Sequence, residues 1–169
     1  MSSITDIINN LTSFFNTKNM PFVIGGEYAI QQLCHMFSIN YNYEVNSLDI
    51  FYLANTPITN EYIFEFRRCQ SSPHNSMSYM NADGFQINIT LCRSNSMRYI
   101  SNNTFKFMHP ARIMTYYNDD VNRNLNKIFT LEELNDRTQT HQTNYIHCNN
   151  SQPEETTSIE PLARRLFVS

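Results

Sequence analysis

The sequence predicts an α/β (α+β) fold in which a mixed β-sheet is flanked by helices. Three observations carry that expectation. Apolar residues recur at helical spacing near the N-terminus, and two short apolar runs suited to strands lie either side of a Gly-Gly pair and a second helical pattern. Residues 85–91 then alternate apolar and polar without a break, as a half-buried strand does.

In chain order, Ile4, Ile7, Ile8, Leu11, Phe14 and Phe15 define an amphipathic first helix. Ser3 or Thr5 can cap it, and Asp6 suits the positive end of its dipole. Pro21 ends the helical pattern. Phe22-Val23-Ile24 reads as a short buried strand that Gly25-Gly26 closes abruptly. Tyr28, Ala29, Leu33, Met36 and Phe37 give a second helix, and residues 47–53, rich in strand formers, a central strand.

Residues 62–67 form a further strand candidate, 71–76 a loop, and 77–80 another strand. Asp83-Gly84 is a hairpin turn signal leading into 85–91. There Phe85, Ile87, Ile89 and Leu91 face one way, and Gln86, Asn88 and Thr90 the other. Residues 98–100 and 105–107 are expected as short edge strands, and Pro110 as the start of a helix reaching Tyr117. Val121, Leu125, Ile128 and Phe129 suggest one more helix, with a capping box at Thr130. These elements define a domain over residues 1–135. Residues 136–169 read as a polar tail, flexible or partner-dependent, ending in the apolar Leu162, Leu166, Phe167 and Val168.

Composition narrows the function classes. A chain of 169 residues can bury enough surface to fold without disulfides or metals. The charged fraction is only 16%, against roughly a quarter in an average domain, with 23 asparagines taking up much of the difference. A net charge of −3 disfavours nucleic-acid binding by bulk electrostatics. No apolar run approaches the roughly 20 residues that span a bilayer, and the N-terminus lacks the basic and apolar regions of a secretory signal. Cytoplasmic residence is the expectation. Cys34, Cys69, Cys92 and Cys148 form no CxxC pair, so they read as free thiols, three of them buried, and not as a zinc site. His35, His74, His109, His141 and His147 show no ligand spacing; His35 and His109 are placed at helix ends and the others in loops.

One constellation carries meaning. A strand ends in Gly25-Gly26 and enters a helix. About twenty residues later a second strand carries Ser47 and Asp49, and a third presents Gln86 and Asn88 on one face. Over roughly residues 20–115 this order resembles the nucleotidyltransferase superfamily, in particular its small antitoxin-associated and viral members. The resemblance implies a nucleotidyltransferase-like palm with a defined division of labour. Glycines at the helix start let backbone N–H groups approach a triphosphate. Two carboxylates one residue apart on a strand, with a third on a neighbouring strand, hold two Mg²⁺ ions for in-line displacement.

Matched position by position, Gly25 and Gly26 fall on the glycines, and Glu27 stands where Ser or Thr usually binds phosphate. Asp49 falls on the second carboxylate, Ser47 on the first, and Asn88 on the third, or Gln86 if the register slips by two. Mg²⁺ favours charged oxygen ligands and gives up water reluctantly, so one Asp with Ser and Asn is a poor site for it. The implied protein is a degenerate member with no metal and no cofactor, working as a protein-interaction or assembly module, in a viral setting if the likeness extends that far. Two other readings stay open: a residual nucleotide binder or transferase whose partner supplies carboxylates, and a purely structural virion component. The partner expected is another protein; a nucleotide held without metal is the secondary candidate, and no membrane is involved.

Overall fold

The computed structural model describes residues 2–40, 44–69, 75–116 and 144–149. The first helix, α1, spans Ile4–Thr17, and Ser3 caps it in a reciprocal capping box with Asp6. Ile7, Ile8, Leu11 and Phe15 form its buried stripe. Phe15 stacks on Phe22 at 4.8 Å between ring centroids and meets Tyr52 at 5.6 Å. Burying such a ring fully stabilises the fold by roughly 1.5–3 kcal/mol.

Among the described residues nine strands make one mixed sheet: β1 (Phe22–Gly25), β2 (Ser47–Leu53), β3 (Tyr62–Ile63), β4 (Phe66–Arg68), β5 (Ser76–Met80), β6 (Gln86–Cys92), β7 (Ser96–Ser101), β8 (Lys106–Met108) and β9 (Asn144–His147). Their order is β3-β4-β5-β6-β2-β1-β8-β7-β9. At the centre β2 pairs antiparallel with β1 and parallel with β6, while β8 runs parallel to β1. Helix α2 (Gly26–Met36) follows β1, and α3 (Pro110–Tyr116) follows β8. The mixed α+β class expected from the sequence is the class observed.

The two central helices share one face of the sheet. Phe22 and Tyr52 pair in the β1–β2 ladder and receive α1. Phe107 pairs with Ile24 on that same face and meets Tyr28 of α2 at 6.2 Å. Leu48, Ile50, Ile87, Ile89 and Leu91 are buried there. Alternation sends their neighbours Ser47, Asp49, Gln86, Asn88 and Thr90 to the opposite face, where each is half-buried. Two buried phenols pin the connection that leaves β2. The Tyr52 hydroxyl accepts from the Ile58 N–H at 2.9 Å, and the Tyr79 hydroxyl donates to the Asn60 carbonyl at 2.8 Å.

Several elements differ from expectation. Residues 62–67 are not one strand: the chain reverses between β3 and β4, with Phe64 at φ 53°. A continuous strand would have placed Tyr62, Phe64 and Phe66 together. The reversal instead pairs and buries Ile63 and Phe66, leaving Tyr62 56% and Phe64 52% exposed. The strand expected at 105–107 is not at an edge, because β8 lies between β1 and β7 with Phe107 and Met108 wholly buried. Nor is β7 an edge; β9 covers it. That pairing also corrects the boundary at residue 135, since Asn144–His147 belongs to the sheet and Ile146 is buried in the core. His147 is therefore in a strand, not a loop. The helix expected at 121–129, the capping box at Thr130, residues 136–143 and 150–169, and His74 lie outside the described residues, as does His141. Among the described residues no helix is long and apolar enough to cross a membrane.

Candidate functional site

Gly25, Asp49 and Asn88 lie in adjacent positions across three central strands. Gly25 is the ladder partner of Asp49 on one side, and Asn88 is its partner on the other. The register therefore puts Asn88 opposite Asp49 and Gln86 opposite Ser47, with no slip by two. Ser47 and Asp49, two residues apart on β2, share a face. The structure thus brings together the five residues singled out from the sequence: Gly25, Gly26, Ser47, Asp49 and Asn88. Glu27 follows in the first turn of α2 and is exposed.

Hydrogen bonding fixes the chemistry of this face. The Asn88 amide Nδ2 donates to Asp49 Oδ1 at 2.8 Å. Asn88 Oδ1 in turn accepts from the Ser78 hydroxyl at 2.8 Å and from Gln86 Nε2 at 2.7 Å. Beyond them, Ser76 and Thr90 share a hydroxyl–hydroxyl bond of 3.2 Å. A carboxylate accepts only, so Asn88 must turn its NH₂ toward Asp49, and its single oxygen is then filled by two donors. The result is one carboxylate tied into a ladder of neutral amides and hydroxyls.

The glycine pair has a local cause. Gly26 sits at φ +67°, a left-handed conformation that disfavours any side chain, and a Cβ built there would lie 2.3 Å from Asp49 Oδ2. Asp49 itself occupies the space that the second glycine opens.

Two Mg²⁺ ions do not fit this donor set. Asn88 offers hydrogens, not oxygen, toward Asp49, and its oxygen is already saturated. Among the described residues no three of His, Cys, Asp and Glu cluster closely enough to hold a metal ion. Two-metal chemistry needs several carboxylates to offset the repulsion between cations about 3.5–4 Å apart.

Sequence reasoning missed Ser78 as a member of this network. The signal was present: equal steps either side of Asp83 pair Met80 with Gln86 and Ser78 with Asn88. The turn itself is closed by the buried Asn81, whose Oδ1 accepts from the Phe85 N–H at 2.9 Å. The four cysteines form no disulfide, and two are buried, Cys34 and Cys92, not three. Burial pushes the Cys34 thiol up to about 11, which makes it a packing residue and not a nucleophile.

His109 precedes α3 and is 4% exposed. Burial first, and the Arg98 charge second, push its pKa down to about 4. Unfolded, the ring returns to its ordinary value near 6.5. Between those values the unfolded chain binds the extra proton, so His109 lowers stability as pH falls through that window and costs nothing above it. The integrated loss is on the order of 2–3 kcal/mol. Urea denaturation from pH 7 to pH 4 should therefore show a shallower decline in His109→Gln than in the parent. Equal slopes would mean that His109 titrates normally.

No family model, no curated protein and no solved structure matches this chain. The site must therefore be interpreted from its own geometry.

Proposed function

We propose that this protein is a nucleotidyltransferase-like scaffold without metal-dependent transfer activity that works by binding another protein. The observation that carries the first half is the Asn88 amide donating to Asp49 while Ser78 and Gln86 fill its oxygen. Neutral donors stand where transfer chemistry needs carboxylates. The Gly25-Gly26 turn accommodates Asp49, which accounts for the glycine without a triphosphate.

The second half is supported at the opposite end of the sheet from β9. Tyr62 and Met80 both pair with Arg67, and they are 56% and 39% exposed. Phe64, at the hairpin tip, is 52% exposed. Aromatic residues, Met and Arg are the side chains enriched in protein interfaces. They lie at the outer end of the sheet, where β3 has β4 as its sole strand neighbour among the described residues.

Two measurements test this. The full chain, incubated with Mg²⁺ or Mn²⁺ and each nucleoside triphosphate, should transfer no nucleotide; metal-dependent transfer would overturn the proposal. In the Tyr62→Ser, Phe64→Ser variant, exposed changes of this kind should alter stability by about 0.5 kcal/mol or less per site. Association with the partner that co-purifies with the parent should be lost. A parent chain that sediments as a lone monomer and retains no partner would count against an interaction role.

A further inference from the structure

We propose that a second site, on the face of the sheet opposite Asp49 and near the β7–β9 end, binds a phosphate group. His109 lines this site. Its Nδ1 accepts the Ala111 N–H at 3.2 Å, and its Nε2 lies 3.0 Å from Arg98 Nη2. A neutral imidazole has one N–H and one lone pair. Taking the Ala111 bond as the one that sets the tautomer, the proton is assigned to Nε2, where it faces a guanidinium, which also only donates.

Two donors thus converge with no acceptor between them, and one of them belongs to a buried ring. Among the described residues, Arg98 has no carboxylate partner. Leaving a buried donor unmet is costly, and an oxyanion bridging Arg98 and His109 Nε2–H would satisfy both.

The surroundings fit an anion. Arg98 and His109 open onto a cavity of about 340 Å³ that Ser96, Arg112 and Tyr145 also line. Its described lining residues include no Asp or Glu. Arg98 itself is exposed, so a ligand can reach it from solvent. Phosphate suits the pair because its several oxygens can accept from the planar guanidinium fork and from the imidazole together. Tyr145, directly opposite Arg98 in the β7–β9 ladder and 53% exposed, supplies a flat ring beside the site. A phosphate carried by a nucleoside therefore has a surface on which its base can stack.

The β7 parity places this site away from the Asp49 network. Ile100 pairs with Phe107, and Phe107 with Ile24, on the helix-covered face; Arg98 shares that parity. The phosphate site therefore stands or falls independently of the transferase-like reading.

Calorimetric titration of the full chain with sodium phosphate, and separately with adenosine 5′-monophosphate, tests it. Saturable phosphate binding with a dissociation constant on the order of 1 mM is expected for so few charged contacts. Arg98→Gln should weaken it at least tenfold, and Arg98→Lys should fall between, keeping charge but losing the fork. In the parent with ¹⁵N-labelled histidine, the His109 Nε2 resonance should move with the same saturation curve. Equal affinity for both probes identifies free phosphate as sufficient. Tighter nucleotide binding that Tyr145→Ser removes identifies a nucleotide. Absence of saturable binding to either probe, affinity unchanged in Arg98→Gln, or a His109 resonance that does not respond would each overturn the proposal.

Discussion

Replacing Gly26 with alanine is expected to destabilise the protein by at least about 3 kcal/mol, from two separable causes. The backbone at Gly26 has φ +67°, where a non-glycine residue costs roughly 1–2 kcal/mol. The added Cβ would also lie 2.3 Å from Asp49 Oδ2, 2.8 Å from Cγ and 2.9 Å from Cβ. Rotating the Asp49 side chain relieves the first two contacts but not the third, because its Cβ is fixed by the β2 backbone. Rotation would also break the 2.8 Å bond from Asn88. Either β1 and β2 separate locally or the Gly25–Asp49 pairing is lost. Urea denaturation of Gly26→Ala, Asp49→Gly and the double variant separates the causes. Asp49→Gly removes the clash but not the φ strain, so the cycle should show at least about 1 kcal/mol of favourable coupling. A Gly26→Ala protein within about 1 kcal/mol of the parent would mean that the turn does not have this geometry.

That close approach explains why the site was partly legible in the sequence. Gly25-Gly26, Asp49 and Asn88 could be aligned because each sits on an element with a strong local signal: an apolar run cut by glycines, a strand-former run, and an unbroken alternation. Strands β2 and β6 bury one complete face, so their period was visible. What was not visible was anything set by long-range pairing. The parallel β1–β8 contact makes Phe107 a core residue, yet the strand is only Lys106–Met108, too short to show a period that would set it apart from an edge.

The reversal at Phe64 was hidden by an aromatic alternation that fits a straight strand equally well. Strand β9 buries a single side chain, Ile146, because it lies at the sheet edge, so its composition could not be told from a tail. The pairing of Arg98 with His109 also rests on tertiary structure: they sit on and just after neighbouring strands, eleven positions apart. No periodicity marks such a pair. The class of fold follows from local pattern, whereas strand order and the polar contacts that cross it depend on which segments meet.

The Ser47→Asp, Asn88→Asp double variant is expected to lose stability without metal and to gain Mn²⁺ binding that the parent lacks. Asn88 Nδ2 lies 2.8 Å from Asp49 Oδ1, so the new carboxylate would bring an oxygen to that distance from another. Two unit charges about 3 Å apart repel by roughly 5 kcal/mol at an effective dielectric of 20. The pair escapes much of this by sharing a proton, as close carboxylates do. A net loss of about 2–3 kcal/mol near neutral pH, smaller near pH 4, is the expected outcome. A divalent cation removes the same repulsion, and the carboxylate introduced in place of Ser47, on the same face of β2, would add a third. At a metal concentration a hundred times the dissociation constant, binding returns about 2.7 kcal/mol. The melting temperature of the double variant should therefore rise by several degrees with Mn²⁺ while that of the parent stays fixed. Ser47→Asp alone should respond less, because Asn88 still caps Asp49 with hydrogens and keeps its own oxygen engaged with Ser78 and Gln86. If the double variant shows no Mn²⁺-dependent rise, the three positions do not converge as the β1–β2–β6 register requires. If the parent responds as strongly as the variant, the neutral amide ladder is not what keeps metal from Asp49, and the inactive reading falls with it.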